Sequence, residues 1–155
     1  MGNYDLVADA VQAEGCHKLF HGVSQKPGKP SLFAEGPAGQ LVFGLPGNPL
    51  SAFTTFHCLV RPALDILAGG SGDDPPLWRV RLSSALHGRT TRTRFAPARL
   101  LPPNRDGVVF ALPVNDRSSA DVVAGGKTQG AVIVPPSATL AAGELVDFMC
   151  WEWPS

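Results

Sequence analysis

Along residues 1–68 the apolar positions follow two rhythms. Leu6, Val7, Ala10 and Val11 recur at helical spacing and predict a helix ending at Gly15. Lys18-Leu19-Phe20-His21, Ser31-Leu32-Phe33-Ala34 and Leu41-Val42-Phe43 are short apolar runs between turn-forming residues, and they predict strands. From Pro49 onward Leu50, Phe53, Phe56, Val60, Leu64 and Leu67 form one helical stripe. Pro62 lies inside it and has no N–H to offer the Cys58 carbonyl, so a kink or break is expected there. The run Gly69-Gly70-Ser71-Gly72-Asp73-Asp74-Pro75-Pro76 has the composition of a flexible hinge followed by a stiff stop. Beyond it the rhythm becomes alternation. Trp78-Arg79-Val80-Arg81-Leu82 alternates, as does Arg92-Thr93-Arg94-Phe95 and its continuation to Leu100. Val108 to Leu112, Ala131 to Val134 and Leu145 to Trp151 bring the total to about five strands, with turns at Asn104–Gly107 and Ala142-Gly143-Glu144. The pattern predicts an α/β unit over 1–70, a linker at 71–76 and a small all-β barrel or curled sheet over 77–155.

Composition narrows the classes. The 155 residues are 44% hydrophobic and 17% charged, which describes a globular chain and not a disordered one. The formal net charge is zero, so nothing global draws the chain to nucleic acid or to an acidic membrane surface. No apolar run approaches the ~20 residues of a membrane span. Met1-Gly2-Asn3-Tyr4-Asp5 shows no basic-then-apolar leader, so no secretory signal is expected. Cys16, Cys58 and Cys150 are odd in number and widely spaced, against both a disulfide framework and a zinc site. A reduced, cytoplasmic protein is expected. His57 and Cys58 are neighbours on a helix, so their side chains diverge and do not form a thiol–imidazole pair.

Candidate chemistry lies with anion handling. In Leu45-Pro46-Gly47-Asn48-Pro49-Leu50-Ser51-Ala52, Gly47 lets the backbone approach a ligand, Asn48 can cap the helix and Pro49 suits its first position. The free amides of such a helix start favour a phosphate or oxyanion, although a strand-to-helix loop of this kind is commonly structural. Lys26 and Lys29 flank Pro27-Gly28. Taken alone they read as a solvated loop; beside a Gly-containing helix start they read as part of an anion site. Between Arg79 and Arg105 the chain carries Arg79, Arg81, Arg89, Arg92, Arg94, Arg99 and Arg105 and no acid. Most of these are expected on the solvent face of a strand. Nucleic acid is disfavoured, since the arginines lack interleaved aromatics and the remainder is not basic. Ser118 and Ser119 lie between two strands, where hydroxyls usually cap turns, and Asp5 alone would read as a helix cap.

These residues carry a family resemblance. Gly44-Leu45-Pro46-Gly47-Asn48-Pro49-Leu50-Ser51-Ala52 resembles the signature loop of the molybdopterin molybdotransferases, the MoeA and gephyrin E-domain family. Lys26-Pro27-Gly28-Lys29-Pro30 resembles its second signature, Val60-Arg61-Pro62-Ala63-Leu64 the end of the following helix, and Met1-Gly2-Asn3-Tyr4-Asp5 the tail of a third motif. The resemblance implies part of a molybdopterin-binding α/β domain of the MogA and MoaB type, followed by the family's C-terminal β-barrel. It implies insertion of molybdate into adenylylated molybdopterin with release of AMP. Lys26, Lys29 and Asp5 would be catalytic, and Asp5 would hold Mg2+. Pro46, Gly47, Asn48, Pro49, Ser51, Arg92, Ser118 and Ser119 would bind molybdopterin or the oxyanion, Arg92 matching a family arginine that precedes a phenylalanine. Two departures stand out. Gly22 occupies a position where the family usually has Lys or Arg, and the family's acid-bearing N-terminal half is absent, so a C-terminal portion of a homodimeric enzyme is expected. Two other readings stay open: an anion- or molybdopterin-binding module without turnover, and a scaffold of the gephyrin type.

Overall fold

A computed structural model describes residues 6–71, 77–88, 90–114 and 128–151. The first helix, α1, spans Val7–Ala13 and stops where Gly15 takes φ +71°, reversing the chain into β1 (His17–His21). β2 (Gln25–Lys26) leaves this region, and β3 (Leu32–Glu35) and β4 (Leu41–Gly44) return to it. β1, β3 and β4 form an antiparallel sheet in that order, with an irregularity between Lys18 and Phe20. Val11, Leu32 and Ala34 make its small core, with Ala8, Cys16 and Val42 packed around them. Phe20, Phe33 and Phe43 follow one another across the strands, with ring centroids 5.7 and 4.7 Å apart.

Asn48 caps the next helix: its Oδ1 accepts from the Ser51 amide at 3.2 Å. α2 (Pro49–Thr55) then widens into one π turn, Phe56–Val60, before α3 (Arg61–Leu67) resumes. The π turn contains Cys58, whose carbonyl would have received the N–H that Pro62 lacks. The expected break is therefore taken up as a wider turn. The apolar stripe of this helix is only partly covered. Leu50 is buried, while Phe53, Phe56, Leu64 and Leu67 are exposed, Leu67 to 68%.

The second half closes on itself. β5 (Leu77–Leu82), β7 (Thr93–Leu101), β8 (Phe110–Pro113), β9 (Gly130–Val134) and β11 (Leu145–Cys150) follow the order β7-β8-β5-β11-β9, and β9 pairs back to β7. That last pairing makes a five-stranded barrel and leaves its strands without an edge. Alternation sends Val80 and Leu82 inward with Ala96, Ala98, Ala111, Val132, Val134, Val146 and Phe148, and leaves Arg79 and Arg81 outside. Gly130 is required by close approach, because a Cβ there would run into the Met149 carbonyl and the Phe148 ring. The turn after β7 is organised by Asn104, whose Oδ1 accepts from Asp106 and Val108 amides, with Gly107 at φ +76°. β6 (Leu86–His87) and β10 (Thr139–Leu140) add a two-stranded ladder beside the barrel. Among the described residues no helix is long and apolar enough to cross a membrane.

Candidate functional site

β2 is the structural hinge of the candidate site, because it pairs in parallel with β7 (Gln25 with Thr93, Lys26 with Arg94) and so joins the lysine loop to the barrel. The loop itself is a closed turn. The Gly22 amide donates to the Ser31 carbonyl at 2.8 Å and the Val23 amide to the Lys29 carbonyl at 2.9 Å. Gly28 takes φ +106°, and a side chain there would strike the Gln25 amide group and the Thr55 hydroxyl. Gly22 takes φ +100°, which L side chains rarely adopt, so a Lys or Arg could not simply be restored at that position.

A buried polar chain anchors the loop to α2. The Ser31 hydroxyl donates to the Gly28 carbonyl at 2.6 Å. Having only one proton, it must accept from Thr55 Oγ1 at 3.1 Å, and Thr55 in turn accepts from Gln25 Nε2 at 3.2 Å. The resulting run, Gln25 to Thr55 to Ser31 to Gly28, has one direction throughout. It holds the backbone of the loop, and Lys26 and Lys29 are both exposed, with neither ammonium paired among the described residues.

Arg92 arrives from the barrel side. Its backbone is set by Thr90, whose Oγ1 accepts the Arg92 amide at 2.9 Å, and its Nη1 donates to the Gln25 carbonyl at 3.2 Å. Arg92 is half-buried there, beside the residue that precedes Lys26. The other described arginines are engaged elsewhere or face solvent. Arg79 pairs with Asp147 at 2.7 Å, Arg81 donates to the Gly143 carbonyl at 2.7 Å and Arg94 to the His87 carbonyl at 3.3 Å, while Arg99 and Arg105 are exposed. Pro46 is buried, Gly47 is exposed with open space at its Cα, Pro49 is exposed, and Ser51 is buried against the Asn48 cap. Thr55 lies six residues beyond Pro49, so the lysine loop sits about 9 Å along the helix axis from the helix start. The structure thus brings Lys26, Lys29 and Arg92 to one joint and places the Gly47–Ser51 amides further along the same helix. Asp5, Ser118 and Ser119, and residues 72–76 of the expected linker, lie outside the described residues.

Sequence reasoning missed Gln25, Ser31 and Thr55, single polar residues whose pairing spans 24 to 30 positions and leaves no periodic trace. It also missed a second joint. Arg61 Nη1 donates to the Trp151 carbonyl at 2.6 Å and meets His57 Nδ1 at 3.4 Å. The Trp151 ring lies against His57 and Phe53, with centroids 4.9 and 5.2 Å apart. Burial, and secondarily the Arg61 charge, push the His57 imidazole from its ordinary 6.5 down to about 4. Burial pushes the neighbouring Cys58 thiol up to about 12, so it is an inert packing group. Among the described residues, no cluster of three or more His, Cys, Asp or Glu side chains is placed to hold a metal.

Comparison with known proteins finds two adjoining matches. Residues 1–66 match the probable molybdopterin binding domain, and residues 79–151 match the MoeA C-terminal region, domain IV. The chain is 30% identical over 152 residues to a molybdopterin molybdenumtransferase of Synechocystis sp., covering 97% of this chain and 36% of that protein. It is 28% identical over 153 residues to one of Staphylococcus aureus, covering 98% and 36%. It therefore spans about a third of the length of these relatives. Among solved structures, a molybdopterin biosynthesis MoeA protein from Pyrococcus horikosii superposes with a TM-score of 0.78 at 27% identity, covering 96% of this chain and 35% of the other.

Proposed function

Because the chain belongs to the molybdopterin molybdenumtransferase family by these two adjoining domains, we propose that it forms the molybdopterin-binding and barrel portion of a molybdenum cofactor biosynthesis enzyme. The reaction is insertion of molybdate into adenylylated molybdopterin with release of AMP, and both are substrates. Residues 1–70 and 77–155 act as two units joined at 71–76, in a cytoplasmic protein whose complete form is a homodimer. The observation that carries this reading is the joint at Gln25. Its carbonyl receives Arg92 from the barrel, while the loop it opens presents Lys26 and Lys29 to solvent.

The chemistry this joint offers is electrostatic. In this reading the two ammonium groups of the loop and the Arg92 guanidinium act together, and the stretches that carry them, between Glu14 and Glu35 and between Arg79 and Arg105, contain no acid. Such fixed positive groups bind an oxyanion in the ground state and hold the charge that develops on a leaving phosphate. Pro46, Gly47, Asn48, Pro49 and Ser51 at the helix start, with Ser118 and Ser119, are the further residues this reading assigns to binding molybdopterin. The described residues offer no ligand set for magnesium, so no step is assigned to that ion; Asp5 is the carboxylate this reading places beside it.

The test is isothermal calorimetry with molybdate. Lys26→Ala and Lys29→Ala are each expected to weaken binding by about 1 kcal/mol or more, as for a lost charge-assisted hydrogen bond. Unchanged affinity in both variants overturns the assignment of the loop. Since the chain spans about a third of its relatives, binding without turnover is the expected behaviour of these 155 residues alone. Metal-dependent AMP release from adenylylated molybdopterin by this chain alone would show that the chemistry rests on residues other than those named.

A further inference from the structure

The helix from Pro49 to Leu67 is gripped from two sides. Thr55 faces the lysine loop through Gln25 and Ser31. Phe53, His57 and Arg61, spaced four residues apart, face Trp151 instead. At about 100° per residue, Thr55 points almost opposite to Phe53 and His57. The loop is itself bound to the barrel through β2 and β7, and Trp151 directly follows the barrel's last strand. Helix, loop and barrel therefore form a closed circuit with two joints.

The first joint is short. It consists of the Gln25–Thr93 and Lys26–Arg94 pairs, the Thr93 amide donating to the Ser24 carbonyl at 3.1 Å, and the Arg92 contact to Gln25. Two residue pairs at a sheet margin do not fix the direction in which a barrel swings. The second joint is better braced. Trp151 is held from the barrel side by its amide on the Gln129 carbonyl at 2.8 Å and by its Nε1 on Thr128 Oγ1 at 3.1 Å. Cys58 of the π turn packs against the buried cluster of Ala131, Met149 and Trp151. Phe95, three residues from Arg92, packs against that same cluster. One contiguous body of side chains thus runs from Arg61 to β7, the strand that begins just after Arg92.

We propose that Arg61 is a positioning residue for the anion site: by clamping the Trp151 carbonyl to the π turn, it keeps the first joint closed and Arg92 over the lysine loop. The proposal rests on reading Lys26, Lys29 and Arg92 as one site. His57 belongs to the same device, because its neutral ring accepts from Arg61 and packs at a tilt against Trp151. The π turn supplies the local geometry, since it lies between Thr55, which serves one joint, and Arg61, which serves the other.

The test is amide hydrogen exchange at Thr93 together with molybdate calorimetry, on the full chain. In Arg61→Met, Thr93 exchange is expected to rise roughly tenfold, as for loss of a hydrogen bond from a charged group, while the barrel amides of Val132 and Val134 stay protected. Arg61→Lys, which still reaches the carbonyl, restores most of the protection. Molybdate affinity in Arg61→Met falls to the level of Arg92→Ala, and the double variant binds no worse than Arg92→Ala alone, because the arginines act through one contact. Unchanged Thr93 exchange in Arg61→Met overturns the proposal, and so do additive losses in the double variant. If Arg61→Met does not fold, Phe53→Leu loosens the same ring contact and must raise Thr93 exchange by a smaller factor; no rise refutes the coupling. Should wild-type chain bind no molybdate while Thr93 still responds to Arg61, the anion reading fails and the two-joint coupling stands.

Discussion

Replacing Thr55 by valine isolates the polar chain that anchors the lysine loop. The two side chains have nearly the same shape, so no cavity forms, and Thr55 is fully buried. What changes is hydrogen bonding. Gln25 Nε2 loses the acceptor it held at 3.2 Å, and Ser31 Oγ loses the donor at 3.1 Å. Two net bonds amount to about 2 kcal/mol, and a buried Gln25 amide left without a partner adds roughly 1–3 kcal/mol. Ser31 keeps its bond to the Gly28 carbonyl, which limits the damage on that side. The expected loss is therefore about 3–5 kcal/mol of unfolding free energy by urea denaturation. Gln25→Leu combined with Thr55→Val should recover about 1 kcal/mol or more of that loss, because no donor is then stranded. A loss below about 1 kcal/mol in Thr55→Val, or strict additivity in the double variant, would refute the reasoning that this chain of bonds holds the loop.

Asn48→Ala removes the cap on the Ser51 amide and should cost about 1 kcal/mol in the same denaturation experiment, with Asn48→Asp close to neutral. His57 gives a pH signature: the unfolded imidazole binds its proton near 6.5 and the folded one only near 4, so the unfolded chain takes up more protons between them. Stability should be fully present above about pH 6.5 and fall as pH drops towards 4, and His57→Gln should flatten that slope; an unchanged slope places the titration elsewhere. Gly130→Ala forces a Cβ onto backbone and an immobile ring, so its melting temperature should drop by an amount corresponding to about 3 kcal/mol, or the barrel should fail to form.

Local chemistry in this chain was readable, and long-range closure was not. The five barrel strands follow from alternation such as Arg79-Val80-Arg81-Leu82, and the Asn104–Gly107 turn from residue types that stabilise it directly. The Asn48 cap and the Pro62 disruption were likewise written in single residues. The pairing of β7 with β9 was not, since it joins segments more than thirty positions apart and places the buried Pro97 opposite Ala131, inside a strand where a proline ordinarily argues against pairing. Spacing marks the apolar stripe of the long helix without saying what covers it; Phe53 and Phe56 meet aromatic rings while Leu64 and Leu67 meet solvent. At the candidate site, the charged residues announced themselves. The neutral Gln25, Ser31 and Thr55 that aim them carry no signal in composition or period.

The contrast between a closed barrel and an open three-stranded sheet decides where this chain is vulnerable in concentrated solution. Backbone groups in the barrel are consumed around the ring, whereas β1 and β4 are the outer strands of their sheet. β1 is guarded, since Lys18 sits on it and its ladder is irregular between Lys18 and Phe20, both features that discourage a foreign strand. Among the described residues β4 has neither protection. Its sequence, Leu41-Val42-Phe43-Gly44, is uncharged and regularly paired on its inner side. Self-association of the chain should therefore begin at β4, and a lysine in place of Leu41, whose side chain is already exposed, is the substitution that would most simply raise solubility without touching the barrel or the lysine loop.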